Sequence, residues 1–522
     1  MMAAELIRRG ALHFPKHTAV HFNGLTRTFE EVYQSSRRLA NGLMRLGLRK
    51  GDRVAILLAN SLESVEIDFA LLLSGLVRVP LNTRLSVAEQ RHMIRETEAS
   101  AILYSAPFLA RVEALRAQVP GVRVFGQFGG EAPDWAVHLD TYLKTVPDDE
   151  PGVRVGASDL ATIQYTSGTT GTLKAAVHTQ ETWAAICNNI LLSLDIREGD
   201  VMLHAAPLTH ASGTLVLPHW VRGAANAVLP GFVPSAYLEA VEALRPTTLN
   251  LVPTMIVMLL NTPGVERYRF ESVRNLLYGA SPMPRQALAR GLELWGPKFI
   301  QYYGQTEAPL ILTVLSQAEH VADTETGQRR LLSCGRPAAH AEIRIVGEDG
   351  QELKTGEIGE IVVRTNQTMT GYWKAPELTA QTLRDGWIHT RDMGYFDPDG
   401  YLYLVDRRSD MIITGGFNVY PREVEDVLYQ HEAVAEAAVV GVPDEKWVET
   451  IRAFVVLRPG RTATEAELVE FCKQRLASYK KPTSVVFVDD LPKSAVGKVV
   501  RRLLREGWGQ VSTESAQMEE RR

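Results

Sequence analysis

The chain has 522 residues, 45% of them hydrophobic and 22% charged, with a formal net charge of −5 at pH 7. This is a globular composition with room for about three domains or subdomains, and it offers no global attraction to nucleic acid. Three scattered cysteines, Cys187, Cys334 and Cys472, show no metal-ligand spacing and read as buried small hydrophobes in a reducing compartment.

In chain order, apolar residues at helical spacing over 38–46 predict a helix, and residues 51–58 read as a turn followed by a strand. Residues 63–75 read as a helix and 101–104 as a strand. The run 69–77 is too short for the roughly 20 residues of a membrane span. Residues 1–5 lack the layout of a signal peptide, so a cytoplasmic protein without a membrane span is expected. The alternation predicts an α/β fold, with layered and largely parallel sheets in a large N-terminal domain. Residues 148–156, rich in Asp, Pro and Gly, read as a connection between two such units.

Residues 160–165, LATIQY, predict a short buried strand that runs into TSGTTGTLK, residues 166–174. Gly168 and Gly171 let the backbone turn and approach a ligand closely. Successive N–H groups, with the hydroxyls of Thr166, Ser167, Thr169 and Thr170, form a concavity for anionic oxygens, and Lys174 adds a positive charge. The spacing is not that of a Walker loop. Further along, residues 206–213 form a proline-led turn around His210, and 275–282 read as a strand ending in a Gly turn at Gly279, Ala280 and Ser281. The segment QYYGQTE, residues 301–307, offers an aromatic face at Tyr303, close backbone approach at Gly304, a hydroxyl at Thr306 and a hard carboxylate at Glu307. Residues 343–403 turn to short strands with Gly and Asp turns, a small β-rich piece. Beyond Asp406, a helix at 422–429 and strands at 435–442 and 451–457 predict a compact α/β C-terminal domain. The expected domains are 1–408 and 409–522, with the polar tail 510–522 disordered.

Six blocks in register, from TSGTTGTLK to the LPKSAVGKVVRR of residues 491–502, resemble the adenylate-forming enzyme superfamily. That superfamily includes acyl-CoA synthetases, firefly luciferase and the adenylation domains of peptide synthetases, and the resemblance favours the acyl-CoA synthetase branch. It implies an ATP-dependent acid–CoA ligase that uses Mg²⁺ and takes coenzyme A as co-substrate, with a C-terminal domain that rotates between two steps. By the same resemblance the 166–174 loop grips phosphate and His210 stands at the mouth of the acyl pocket. Gly279, Ala280 and Ser281 lie along adenine and the acyl group, Tyr303 and Gly304 lie beside the purine, Thr306 meets the α-phosphate and Glu307 the metal. Asp392 and Arg407 would hold the ribose, Lys498 would be the catalytic lysine, and Gly415 and Gly416 would leave room for the pantetheine arm. Lysine suits its task because carboxylate attack on phosphate brings two anions together.

The chain departs from the family pattern at four positions. Leu173 and Ala175 replace the Pro and Gly that flank the loop lysine in the family. Ser409 stands at the hinge position, and Tyr302 occupies a position that is Gly in many long-chain and aromatic-acid ligases. A phenol there shortens or bends the acyl channel, which favours a medium-length or compact acid. Alternatives are a stand-alone adenylation enzyme loading a carrier protein, a luciferase-like monooxygenase, and a non-enzymatic nucleotide-binding scaffold. The acid and the oligomeric state stay open.

Overall fold

The computed structural model describes residues 1–167, 173–281, 283–321, 323–407, 410–414, 417–444, 447–493 and 499–507. Gly168, Thr169, Thr170, Gly171, Ser409, Gly415, Gly416, Lys498 and the tail 510–522 lie outside the described residues, as do the side chains of Ser167 and Arg407. The chain packs as two units, one of Met1–Glu342 with Val363–Ile388, the other of Ile343–Val362 with His389–Arg522. The β-rich stretch expected over 343–403 is thus divided between them.

The larger unit holds two sheets. The strands and the helix expected over 51–58, 63–75 and 101–104 are present at Arg53–Leu57, Leu62–Ser74 and Ala101–Ser105, and the helix expected over 38–46 starts earlier, at Phe29–Arg45. Helix Phe29–Arg45 begins where Thr28 and Glu31 exchange hydrogen bonds: Glu31 N donates to Thr28 Oγ1 at 3.2 Å, and Thr28 N to the Glu31 carboxylate at 2.8 Å. This capping box satisfies two donors that the helix itself leaves open. Helix Leu62–Ser74 is apolar on nearly every side because it is buried among neighbours, and Gly75 ends it at φ 68°. Trp220 fills the seam beside the N-terminal helix Ala3–His13. Its Nε1 donates to Ile7 O at 2.9 Å, and a Cβ on Gly10 would fall 2.2 Å from that nitrogen.

Parallel pairing dominates both sheets, as the alternation predicts. In the nine-stranded sheet Val201–His204, Thr248–Leu251, Asn275–Gly279 and Phe299–Gln305 run parallel. In the eight-stranded sheet Arg53–Leu57 pairs in parallel with both Val77–Pro80 and Ala101–Ser105. Antiparallel pairs interrupt this pattern, among them the hairpins Leu160–Ser167 with Leu173–Thr179 and Phe299–Gln305 with Ala308–Leu315. Both carry expected site residues, Thr166 and Lys174 on the first and Tyr303, Gly304, Thr306 and Glu307 on the second.

In the smaller unit, Val434–Asp444 and Val448–Leu457 form a long antiparallel pair, and Ser484–Phe487 joins the latter in parallel. Side-chain alternation along the first strand splits its residues between two cores. Ala437 and Val439 pack with Val424, Leu428, Leu468 and Cys472 from helices Pro421–Leu428 and Glu465–Lys473. Ala438 and Val440 pack instead with Phe454, Leu491 and Leu504. All three cysteines are buried and free, as composition suggests.

Candidate active site

The parallel strands of the nine-stranded sheet deliver eight of the expected site residues at or just beyond their carboxyl ends, where open α/β sheets bind ligands. Val201–His204 leads to the His210 turn, Asn275–Gly279 to Ala280 and Ser281, and Phe299–Gln305 to Thr306 and Glu307. The last two residues are a tight turn, since Gln305 and Ala308 face each other across the hairpin. Close approach, more than φ, dictates the glycines here. A Cβ on Gly304 would meet Leu310 O at 2.1 Å, and one on Gly279 would meet Tyr302 O at 2.4 Å. The left-handed residue of the 279–281 turn is Ala280 at φ 69°, not the glycine that the sequence suggests. Tyr303 is buried beside Gly304.

Tyr302 is buried too, and its hydroxyl donates to Asn250 Oδ1 at 3.1 Å. Burial pushes its phenol up to about 12, so the ring is held as a neutral donor.

The hairpin of Leu160–Ser167 with Leu173–Thr179 contributes Thr166 and Lys174, which stand opposite each other across its strands. The short strand Gly371–Tyr372 pairs with the same hairpin, Tyr372 opposite Ala176. From there the Tyr372 hydroxyl donates to Glu307 Oε1 at 2.5 Å, and Lys174 Nζ lies 5.9 Å from the Tyr372 ring centroid. His178 of this hairpin donates from Nε2 to Thr306 O at 2.8 Å, because a carbonyl can only accept. Burial lowers the His178 pKa to about 4, keeping the ring neutral. Met369 N donates to Glu307 O at 2.8 Å. The two sheets therefore converge on the Thr306–Glu307 turn, with Lys174, Tyr372 and His178 around it. Sequence reasoning missed Tyr372 and His178, which belong to none of the motifs.

The His210 turn is clamped from several directions. His210 N donates to Pro207 O at 3.1 Å, closing the proline-led turn. Asn60 donates to Ala206 O at 3.0 Å and accepts from Leu208 N at 2.9 Å. Buried Arg78, paired with Asp68 at 2.6 Å, donates to Leu208 O at 3.0 Å, and Gln164 donates to Thr209 O at 3.3 Å. Ser212 is held by buried His204, which also bonds Asn226, each at 2.9 Å. Desolvation, followed by the positive charges of Arg78 and Arg84, lowers the His210 pKa to about 4. His210 is therefore neutral at physiological pH.

In the smaller unit Asp392 and Arg407 stand directly opposite each other in the antiparallel pair of Trp387–Phe396 with Leu402–Arg407. Asp392 N donates to Thr390 Oγ1 at 3.1 Å. Elsewhere in this unit, Arg501 gathers three carboxylates. Its Nη2 lies 2.8 Å from both Glu425 oxygens, and Nη1 lies 3.5 Å from Asp410 and 4.0 Å from Asp406. Phe417 and Tyr479 stack at 4.5 Å between centroids, next to the 415–416 glycines and the 480–481 lysines in sequence.

No group of three or more His, Cys, Asp or Glu side chains among the described residues is placed to hold a metal alone. Glu307 does fit Mg²⁺, which takes one or two carboxylates and completes its shell with phosphate oxygens and water. No helix among the described residues is long and apolar enough to cross a membrane.

Residues 7–373 match the family model described as AMP-binding enzyme, and 423–498 match the AMP-binding enzyme C-terminal domain; the chain belongs to this family. It is 38% identical over 505 residues to a feruloyl-CoA synthase of an Amycolatopsis species, covering 96% of this chain and 98% of that one. It is 36% identical to the fatty acid–[acyl-carrier-protein] ligase ScoC of Streptomyces coeruleorubidus, covering 96% and 95%. Among solved structures, the amide bond synthetase McbA of Marinactinospora thermotolerans superposes with a TM-score of 0.89 at 30% identity, covering 97% of this chain and 100% of that one.

Proposed function

We infer that the protein is an ATP-dependent acid–CoA ligase. A carboxylate oxygen attacks the α-phosphorus of ATP, the bond to the β-phosphate bridge breaks, and pyrophosphate leaves with the electron pair. The thiol of coenzyme A then attacks the acyl carbon, loses its proton, and AMP departs. The observation that carries this reading is the convergence of Lys174, Tyr372 and the Thr306–Glu307 turn. It sets a cation, a hydroxyl and a carboxylate around one point at the strand ends.

In this reading Thr166–Gly171 of the loop and Lys174 hold the β- and γ-phosphates, and Thr306 donates to the α-phosphate. Glu307 holds Mg²⁺, which when bound neutralises phosphate charge. Tyr303, Gly304, Gly279, Ala280 and Ser281 line the adenine and acyl group, while Asp392 and Arg407 take the ribose. Lys498 stabilises the charge that develops at the α-phosphate. His210 meets the acid, and the glycines 415 and 416 flank the pantetheine arm. The boundary at residue 408, with rotation of 409–522 between the two steps, belongs to the same proposal. So does a cytoplasmic setting, where ATP and coenzyme A are supplied.

Tyr302 supports a compact acid, because its ring is fixed by Asn250 and abuts Gly279. A second reading, transfer to a carrier-protein thiol, is favoured by the similarity to ScoC and differs only in the acceptor. The deciding experiment is AMP release with Mg·ATP and a panel of fatty, aromatic and dicarboxylic acids, with and without coenzyme A. Strong acceleration by coenzyme A with one acid class supports the ligase. Acid-dependent pyrophosphate release indifferent to coenzyme A points to a carrier protein. Undiminished turnover in Lys498→Ala refutes the assigned mechanism.

A further inference from the structure

Asn82 follows the strand Val77–Pro80, and its polar atoms are committed in a way that fixes the chemistry of His210. Its carbonyl accepts from the amide of buried Gln90 at 2.8 Å. Its side-chain Oδ1 accepts from the backbone N–H of Arg84 at 2.9 Å. Its Nδ2 lies 2.9 Å from His210 Nε2. A backbone N–H can only donate, so the amide atom facing Arg84 is the oxygen and the one facing His210 is the NH₂. An amide NH₂ also only donates, so His210 Nε2 must offer a lone pair. A proton on Nε2 would set two donors against each other.

We propose that Asn82 is a positioning residue that holds His210 as the neutral ring protonated at Nδ1, so that His210 serves as a hydrogen-bond donor to the acid's carboxylate and not as a base at Nε2. The role toward the carboxylate rests on the acid–CoA ligase reading; the tautomer does not. Two further observations agree. His210 Nδ1 has no partner among the described residues, which leaves its N–H for a ligand. The charged groups facing the ring are Arg78, paired with Asp68, and Arg84, and both oppose a second proton. Asn60, Arg78 and Gln164 fix the backbone of the turn that carries the ring, through the carbonyls of Ala206, Leu208 and Thr209. A neutral donor suits adenylation, since a cation beside the nucleophilic carboxylate would blunt its attack on phosphorus, whereas one hydrogen bond aligns it.

The test is a long-range ¹H–¹⁵N correlation spectrum of the full chain labelled with ¹⁵N-histidine at pH 7.5, with His210 assigned by the signal lost in His210→Gln. The expected pattern is a protonated Nδ1 and a bare Nε2. An Nε2–H ring, or an imidazolium, overturns the proposal. Asn82→Asp presents only acceptors, so the proton is expected to move to Nε2 or a second proton to be gained; a spectrum unchanged from wild type overturns the role of Asn82. In acid-dependent pyrophosphate exchange, Asn82→Asp and Asn82→Leu are expected to raise KM for the acid about 10- to 100-fold, the cost of one hydrogen bond to a charged group. KM for ATP should hold. Equal losses for acid and ATP would show a merely structural residue and overturn the proposal. Absence of acyl-AMP formation by wild type with every acid would refute the ligase reading, while the spectrum still decides the tautomer.

Discussion

Acidification tests the physical account of the larger unit most directly. His178, His204, His219 and His320 are each at most 1% exposed, and burial lowers their pKa values from 6.5 to about 4, 3, 4 and 4. In the unfolded chain these rings bind protons below pH 6.5, whereas the folded rings stay neutral until about pH 4. Unfolding therefore takes up protons throughout that window, and stability falls as pH falls through it. Two carboxyls oppose the trend. Burial raises Glu66 to about 8 and raises Asp68 as well, so these groups add stability at low pH that is lost on alkalinisation. His210, lowered to about 4 by desolvation and the charges of Arg78 and Arg84, adds a fifth ring, and five rings against two carboxyls leave a net uptake of about three protons, or roughly 4 kcal/mol of lost stability per pH unit. Against a typical domain stability of about 5–15 kcal/mol, two pH units are then enough to bring the unit near its unfolding threshold. The assay is urea denaturation at pH 7.5, 6.5 and 5.5, followed by the fluorescence of buried Trp220 and Trp295. The midpoint should hold steady from 7.5 to 6.5 and drop steeply by 5.5. Because desolvation is the main cause, 1 M salt should not rescue it. A midpoint that is flat, or that rises toward pH 5.5, would refute the reasoning.

Three substitutions probe the remaining contacts. Tyr372→Phe removes the phenol that orients Glu307 and is expected to raise the Mg²⁺ concentration for half-maximal activity about ten-fold, with KM for the acid unchanged; Mg²⁺ titration of AMP release checks this. Arg501→Met strips the guanidinium from Glu425 and Asp406, and leaves Asp410 with Arg505 alone. It should cost about 3–5 kcal/mol, visible as faster hydrogen exchange over strands Val434–Asp444 and Val448–Leu457. Tyr302→Gly vacates a buried phenol and should shift kcat/KM toward longer acids, at a stability cost of about 3–5 kcal/mol. A chain-length profile identical to wild type would show that Tyr302 does not bound the acyl channel.

What the sequence discloses and what it hides divide along a physical line. Helices and strands near the N-terminus were legible because their apolar periodicity is local, but the helix read over 38–46 begins at Phe29, where Thr28 and Glu31 cap it, a start that the periodicity does not reach. Site residues in blocks such as 301–307 were legible because a ligand must be met by backbone and side chain together, which compresses the chemistry into a few consecutive positions. The partners of those residues are another matter. Asn82 and His210 are 128 residues apart, as are His178 and Thr306, and Glu307 and Tyr372 are separated by 65. No periodicity links them; only the sheet order does. The 279–281 turn shows the same limit at close range. Gly279 looks like the residue that turns the chain, yet Ala280 takes the left-handed conformation, because Gly279 is required for the strand to pass Tyr302 O.

That division matters for how the site works. The candidate site residues sit in motifs, while the groups that orient them are scattered along the chain and held by burial. Neutral His178 fixes the Thr306 carbonyl, the Tyr372 phenol fixes one oxygen of Glu307, and Asn82 fixes the face of His210. Each of these three contacts pairs a donor with an acceptor whose roles cannot be exchanged without leaving a buried polar group unpaired. A chain could therefore keep every motif residue and still be impaired about ten-fold or more by changing one of these supports, none of which lies in the motif blocks.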